Sequence, residues 1–115
     1  MMKRAFVEEI HQLHAELCQA LADPKRILIL YALAEQPLTV GELGERLAIR
    51  QSNVSQHLAV LRDRGLVATE REGTSVRYSI KYPMVVDALD LLRGVLKDKL
   101  AEAQRRAETL MEMAR

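Results

Sequence analysis

Two groups of side chains in this sequence are able to do chemistry. The first is the run Gln51, Ser52, Asn53, Ser55 and Gln56, which opens a helical segment whose inner stripe is Val54, Leu58 and Leu61. Small amides and hydroxyls on an outward helix face add nothing to a core. Their chemistry is hydrogen bonding, and the amides of Asn and Gln match the donor–acceptor pair on the edge of adenine. A solvated helix start would use the same residue types. What favours a ligand is the setting, a short helix before the run and a basic hairpin after it. In that hairpin Arg71 and Arg77 stand either side of Gly73. Their guanidinium groups suit phosphate oxygens, the alternative being plain solvated charges. His57 lies on the border of the outward and inner faces, as a structural or phosphate-bonding histidine rather than a ligand. Lys25 and Arg26 open an earlier helix, where positive charge opposes the dipole, a hint of phosphate contact. Arg62 and Arg64 are expected to pair with acidic neighbours, with phosphate contact as the alternative for either.

The second group is His11, His14 and Cys18. Spacings of three and four place them along one flank of a first helix. Three nitrogen and sulfur ligands suit zinc, copper(I) or nickel, with a fourth ligand from another chain. Packing in a seam between chains, or exposure to solvent, is the commoner fate of such residues. No metal or other cofactor is therefore assigned, and a transition metal or a thiol-reactive effector are the options these residues leave. Cys18 is the single cysteine, so no intrachain disulfide forms, in keeping with a reducing cytoplasm. There is no Gly-rich phosphate loop and no nucleophile elbow. Ser52 and Ser55 lie near His57 without an oxyanion pocket, so the chain does not read as an enzyme.

The elements that carry these residues follow from periodicity and punctuation. Phe6, Ile10, Leu13, Leu17 and Leu21 recur at helical spacing over residues 4–22. Asp23-Pro24 then supplies an N-cap and a first-turn proline for a helix to about Ala34, whose ILILYAL run marks it as the buried central one. Thr39 and Glu42 form a capping box for a short helix to Leu47, with Leu43 and Leu47 inward and Gly44 where a neighbour crosses closely. A turn containing Ala48 leads to the helix that carries the polar run. A left-handed Ala48 would cost about 1 kcal/mol relative to glycine. Arg50 is a poor N-cap, so Ser52 is expected to cap in its place, and Gly65 ends the helix. Leu66–Glu72 and Val76–Ile80 alternate as a two-stranded hairpin around Gly73-Thr74-Ser75. Pro83 opens a last helix to about Met113. Its stripe of Leu89, Leu92, Leu96, Leu100, Ala103, Ala107 and Leu110 is too long for so small a domain to cover and is expected to meet a partner chain.

The chain has 115 residues, enough for one modest core, with 49% apolar and 29% charged side chains, as in soluble globular proteins. Net charge is only +1, yet residues 50–81 hold six basic side chains against three acidic ones, so the basic excess sits on the reading unit. Charges interleave with apolar residues at the N-terminus, unlike a secretory signal, and no run of about 18 apolar residues suggests a membrane span. A cytoplasmic protein is expected.

The wording ADPKRILIL, TVGELGERL, QSNVSQHLAVLRDRGLV and REGTSVRYS resembles the ArsR/SmtB family of winged-helix repressors over about residues 15–96. The resemblance implies a mainly α fold with a small β-hairpin. This is a winged helix-turn-helix in the order helix, helix, helix, helix, strand, strand, helix, as a single domain over 1–115. It assigns residues 1–22 and 83–113 to dimerisation, 39–64 to the helix-turn-helix and 66–80 to the wing. It implies a homodimer joined through Ile10, Leu13, Leu17, Leu89, Leu92, Leu96 and Leu100. It further implies double-stranded DNA as partner, an inverted-repeat operator, and release by an effector, often a metal. Carried over, Ser52, Asn53, Ser55 and Gln56 would lie in the major groove, and Arg71, Thr74, Ser75 and Arg77 would form the wing on phosphates or in the minor groove. The family's cysteine-bearing metal motif is replaced here by Glu42-Leu43-Gly44-Glu45. Its Asp-and-His motif is missing from residues 83–115, where Asp87 and Asp90 remain without a histidine. The alternative of a different class is a winged-helix protein-interaction module without DNA binding. The polar face argues against it, since a protein partner would want aromatic or aliphatic anchors.

Overall fold

The computed structural model describes residues 1–115, divided between two compact units, Met1–Pro83 and Met84–Arg115. In the first unit α1 spans Arg4–Leu13 and continues into a π turn over His14–Cys18. There the Gln19 N–H reaches back to the His14 carbonyl at 3.1 Å, the longer bond that admits one extra residue into a helix. The periodicity over residues 4–22 did not anticipate this break.

The next helix, α2, is Pro24–Glu35, with Asp23 extended before it (φ −141°, ψ 124°) and its carboxylate accepting from the Lys25 N–H at 2.8 Å. Ile29, Leu30, Ala32 and Leu33 are buried, but Leu28 is exposed, so the helix is central on one side only. A two-residue strand, β1 (Leu38–Thr39), follows. Helix α3 runs over Val40–Leu47 behind a complete capping box: Glu42 N–H donates to Thr39 Oγ1 at 3.2 Å, and Thr39 N–H donates to Glu42 Oε1 at 2.9 Å. Leu43 is buried, while Leu47 is half-buried.

Ala48 ends α3 in the left-handed conformation (φ 56°, ψ 45°), the only residue other than glycine with positive φ. The turn is tight. Ile49 N–H bonds the Gly44 carbonyl at 3.0 Å, and a Cβ on Gly44 would lie 2.9 Å from the Ile49 carbonyl oxygen. The close crossing foreseen at Gly44 is therefore with the turn's own backbone. Helix α4, Gln51–Asp63, buries Val54, Leu58 and Leu61. It closes in a Schellman motif, Leu66 N–H to Leu61 carbonyl and Gly65 N–H to Arg62 carbonyl, both 2.9 Å, with Gly65 at φ +72°.

Strands β2 (Val67–Glu72) and β3 (Ser75–Ile80) pair antiparallel around the two-residue loop Gly73-Thr74. Ser75, expected in the loop, is already in the strand opposite Glu72. The sheet has three strands rather than two, in the order β1-β3-β2, with Leu38 opposite Tyr78 and Thr39 opposite Arg77. A free two-stranded hairpin is marginal in water, and β1 fixes this one to the start of α3. The core joins Ile29, Leu30, Leu38, Leu43, Val54, Leu58, Leu61 and Leu66, all essentially without exposure, and no polar side chain is buried with them.

The second unit is one helix, α5, over Met84–Met113. At 1.5 Å per residue its thirty residues reach about 45 Å. Leu92, Leu96 and Leu100 are more than half exposed, whereas Leu89 is buried within the single chain and so is not part of that open row.

Candidate nucleic-acid interface

The first two turns of α4 divide cleanly by face. Val54 and Leu58 go into the core, and Ser52, Ser55 and Gln56 stand exposed with Asn53 half-buried beside them. None of these four side chains is hydrogen-bonded within the chain, and the helix has no side-chain cap, so Ser52 does not take the capping role expected of it. Gln51 behaves differently. Its Cγ would be 3.4 Å from a Cβ on Gly44 and its Nε2 3.5 Å from one on Gly41. Its side chain lies beside α3 although the residue is exposed.

His57 and Arg26 are drawn inward. Arg26 Nη1 lies 3.4 Å from His57 Nδ1, its Nε donates to the Ala20 carbonyl at 2.6 Å, and its Nη2 donates to the Gln19 carbonyl at 3.2 Å. The guanidinium thus caps the carbonyl end of the first helical segment, where a positive charge complements the dipole. It also touches α4 through the half-buried His57. Arg26, whose place in the sequence hints at phosphate, is thus engaged by three contacts inside the chain. Asp23 sits close by, its carboxyl held below the ordinary carboxylate range, first by the Lys25 N–H bond and further by the charges of His57 and Arg26.

The wing's two arginines part company. Strand alternation and the pairing of Glu70 with Arg77 and Arg71 with Val76 put Arg71 and Arg77 on opposite faces of the ribbon. Arg71 is exposed and has no side-chain partner. Arg77 is engaged three times: Nε donates to Glu72 Oε2 at 3.1 Å, and Nη1 to Glu42 Oε1 at 3.2 Å and to the Pro37 carbonyl at 3.5 Å. Its pKa is raised, first by the Glu72 bond and then by the Glu42 charge. Glu42 in turn is lowered, first by the Thr39 backbone bond, then by the Thr39 hydroxyl, with the Arg77 charge adding to both. Where the sequence suggests a free phosphate ligand, Arg77 is engaged by two carboxylates and a carbonyl of its own chain. Thr74 and Ser75 are exposed at the tip. Arg50, Arg62 and Arg64 are exposed and form no ion pair, so the predicted pairing of Arg62 and Arg64 with acidic neighbours does not occur. Arg50, which reads in the sequence as a poor cap, stands at the head of α4 as an exposed, unpaired cation.

His11, His14 and Cys18 are each exposed, and no three His, Cys, Asp or Glu side chains in the chain are placed to share a metal ion. His14 opens the π turn and Cys18 closes it.

Residues 23–69, from the Asp23 cap to the third residue pair of the β2–β3 hairpin, match the model of the arsR family of bacterial regulatory proteins. The chain belongs to the arsR family. Its relatives are helix-turn-helix transcriptional regulators rather than enzymes. The regulator Rv0081 of Mycobacterium tuberculosis is 41% identical over 96 residues, covering 83% of this chain and 84% of that one. Its crystal structure superposes with a TM-score of 0.71 at 40% identity over 81% of this chain and 94% of the other. HlyU of Vibrio cholerae, named a transcriptional activator, is 43% identical over 76 residues, 66% of this chain and 70% of its own. The domain Mb0332 of Mycobacterium bovis, described in solution as a homodimeric winged helix-turn-helix DNA-binding domain, has a TM-score of 0.71 at 27% identity over 86% of this chain and 91% of its own. The arsR-family chain described here is therefore a winged helix-turn-helix transcriptional regulator. No helix in it is long and apolar enough to cross a membrane.

Proposed function

We propose that this regulator binds an inverted-repeat operator in duplex DNA as a homodimer in the cytoplasm, and represses transcription until an effector releases it. One observation carries the reading. Ser52, Asn53, Ser55 and Gln56 are an uncovered strip of donors and acceptors with no use inside the chain, the composition a helix needs to read base edges in the major groove. Exposed, unpaired Arg50, Arg62, Arg64 and Arg71 supply charge for phosphates. The exposed Ile10 and Leu13 in α1 and Leu92, Leu96 and Leu100 in α5 supply apolar surface for a second copy.

Selection from a random duplex pool tests it. The enriched sequence should contain two inverted half-sites with centres about 10–10.5 base pairs, or a multiple, apart. Gln56→Ala should reduce the preference for that site over a scrambled one by about tenfold, within the range of one bidentate base contact. Affinity should fall steeply as salt rises. Failure to enrich any sequence, with no duplex retained at low ionic strength, would overturn the proposal. Transcription in vitro from a promoter overlapping the site should fall on adding the protein; a rise would make it an activator.

A further inference from the structure

We propose that Arg77 is a positioning residue for DNA binding: a strut that fixes the wing against the N-terminus of α3, rather than a group that touches DNA. The inference rests on the operator-binding reading above and deepens it. The guanidinium joins three pieces of chain that are distant in sequence. It holds Glu72 at the wing's tip, Glu42 in the first turn of α3, and the Pro37 carbonyl ahead of β1. Glu42 Oε1 is shared, because it also accepts the Thr39 N–H that closes the capping box. The residue opposite Arg77 in the sheet is Thr39 itself. The lateral position of the wing and the start of the helix-turn-helix are thus tied at one point.

Charge argues the same way. On the ribbon face of Arg77 lie Glu70, directly across from it, and Glu72, and Glu42 approaches from α3. One cation among three carboxylates leaves that face negative, a poor surface for a phosphate. Arg71 is on the other face without a partner, which makes it the wing's free cation. Each pair in the cluster is partly exposed and individually weak. A planar fork that reaches two carboxylates and a carbonyl together is a geometric device more than a source of energy.

A direct contact and a strut differ in what they do to the salt dependence of binding. The measurement is fluorescence anisotropy on the selected operator duplex across a series of KCl concentrations. Arg71→Ala should lower the slope of log K against log salt by about 0.9, the signature of one lost phosphate contact. Arg77→Ala should weaken binding by about threefold to tenfold with the wild-type slope retained, because no phosphate contact is lost. The double variant Glu42→Gln, Glu72→Gln keeps an acceptor for the capping box while removing two negative charges. The strut predicts weaker binding by this variant, against the simple electrostatic expectation of tighter binding. A shallower slope for Arg77→Ala, or tighter binding by the double glutamine variant, would overturn the proposal. Should Arg77→Ala fail to fold, the double variant decides. Should the wild type bind no duplex at all, it is the operator-binding reading that fails.

Discussion

Ala48 holds a left-handed backbone that a side chain disfavours. The turn between α3 and α4 is tight, for a Cβ on Gly44 would lie 2.9 Å from the Ile49 carbonyl oxygen. Ala48→Gly should therefore stabilise the fold by about 0.4–1 kcal/mol. Urea denaturation would show a higher midpoint with an unchanged slope, and an equal or lower midpoint would mean the strain is relieved elsewhere. At this scale the sequence was legible wherever a side chain acts on its own backbone neighbours. Asp23-Pro24, Thr39 with Glu42, Ala48 and Gly65 all perform as read, because each depends on atoms within a few residues. The intrachain contacts of Arg26 and Arg77 are not legible, for the opposite reason. Their partners include His57, 31 residues on, and Glu42, 35 residues back. Nothing in an arginine's immediate surroundings in sequence tells a phosphate ligand from an internal strut.

At the level of elements, the capping box carries more than the start of one helix. Thr39 ends β1, caps α3 and lies opposite Arg77, so its hydroxyl stands where sheet and helix-turn-helix meet. Thr39→Ala should cost about 1 kcal/mol in unfolding free energy. The same site gives a pH dependence. The Glu42 carboxyl is held below its ordinary range in the folded chain, first by the Thr39 N–H bond. Its contribution is fully present above the ordinary carboxylate range and is lost as pH falls through the lowered folded value. Thermal unfolding of the wild type should lose more stability on acidification than that of Glu42→Gln, and parallel curves would count against the link. The π turn and β1 were not legible. The apolar period runs on past His14 with no marker of an extra residue, and Leu38–Thr39 is too short to alternate visibly; its pairing with β3 is a tertiary fact.

For the whole molecule, the exposed row on α5 is the feature that asks for a partner. Leu92, Leu96 and Leu100 leave more apolar surface in water than a lone helix normally shows. Leu92→Glu combined with Leu96→Glu should yield a monomer in sedimentation velocity at micromolar concentration. Operator affinity should drop by far more than the change in charge explains, because two linked half-sites become one. A dimer that survives both charges would move the interface elsewhere. The expectation of a stripe too long for the chain to cover came from counting residues, and it holds for Leu92 and beyond but not for Leu89.

The single inserted residue of the π turn sets the azimuth of everything before it. A helix advances by about 100° per residue, so trimming one residue from His14–Cys18 would spin Phe6, Ile10 and Leu13 about a quarter turn around their axis without disturbing a contact downstream of Arg26. The leading segment is, in effect, a key cut to one angle, and the turn that cuts it lies one step along the chain from the apolar row it aims.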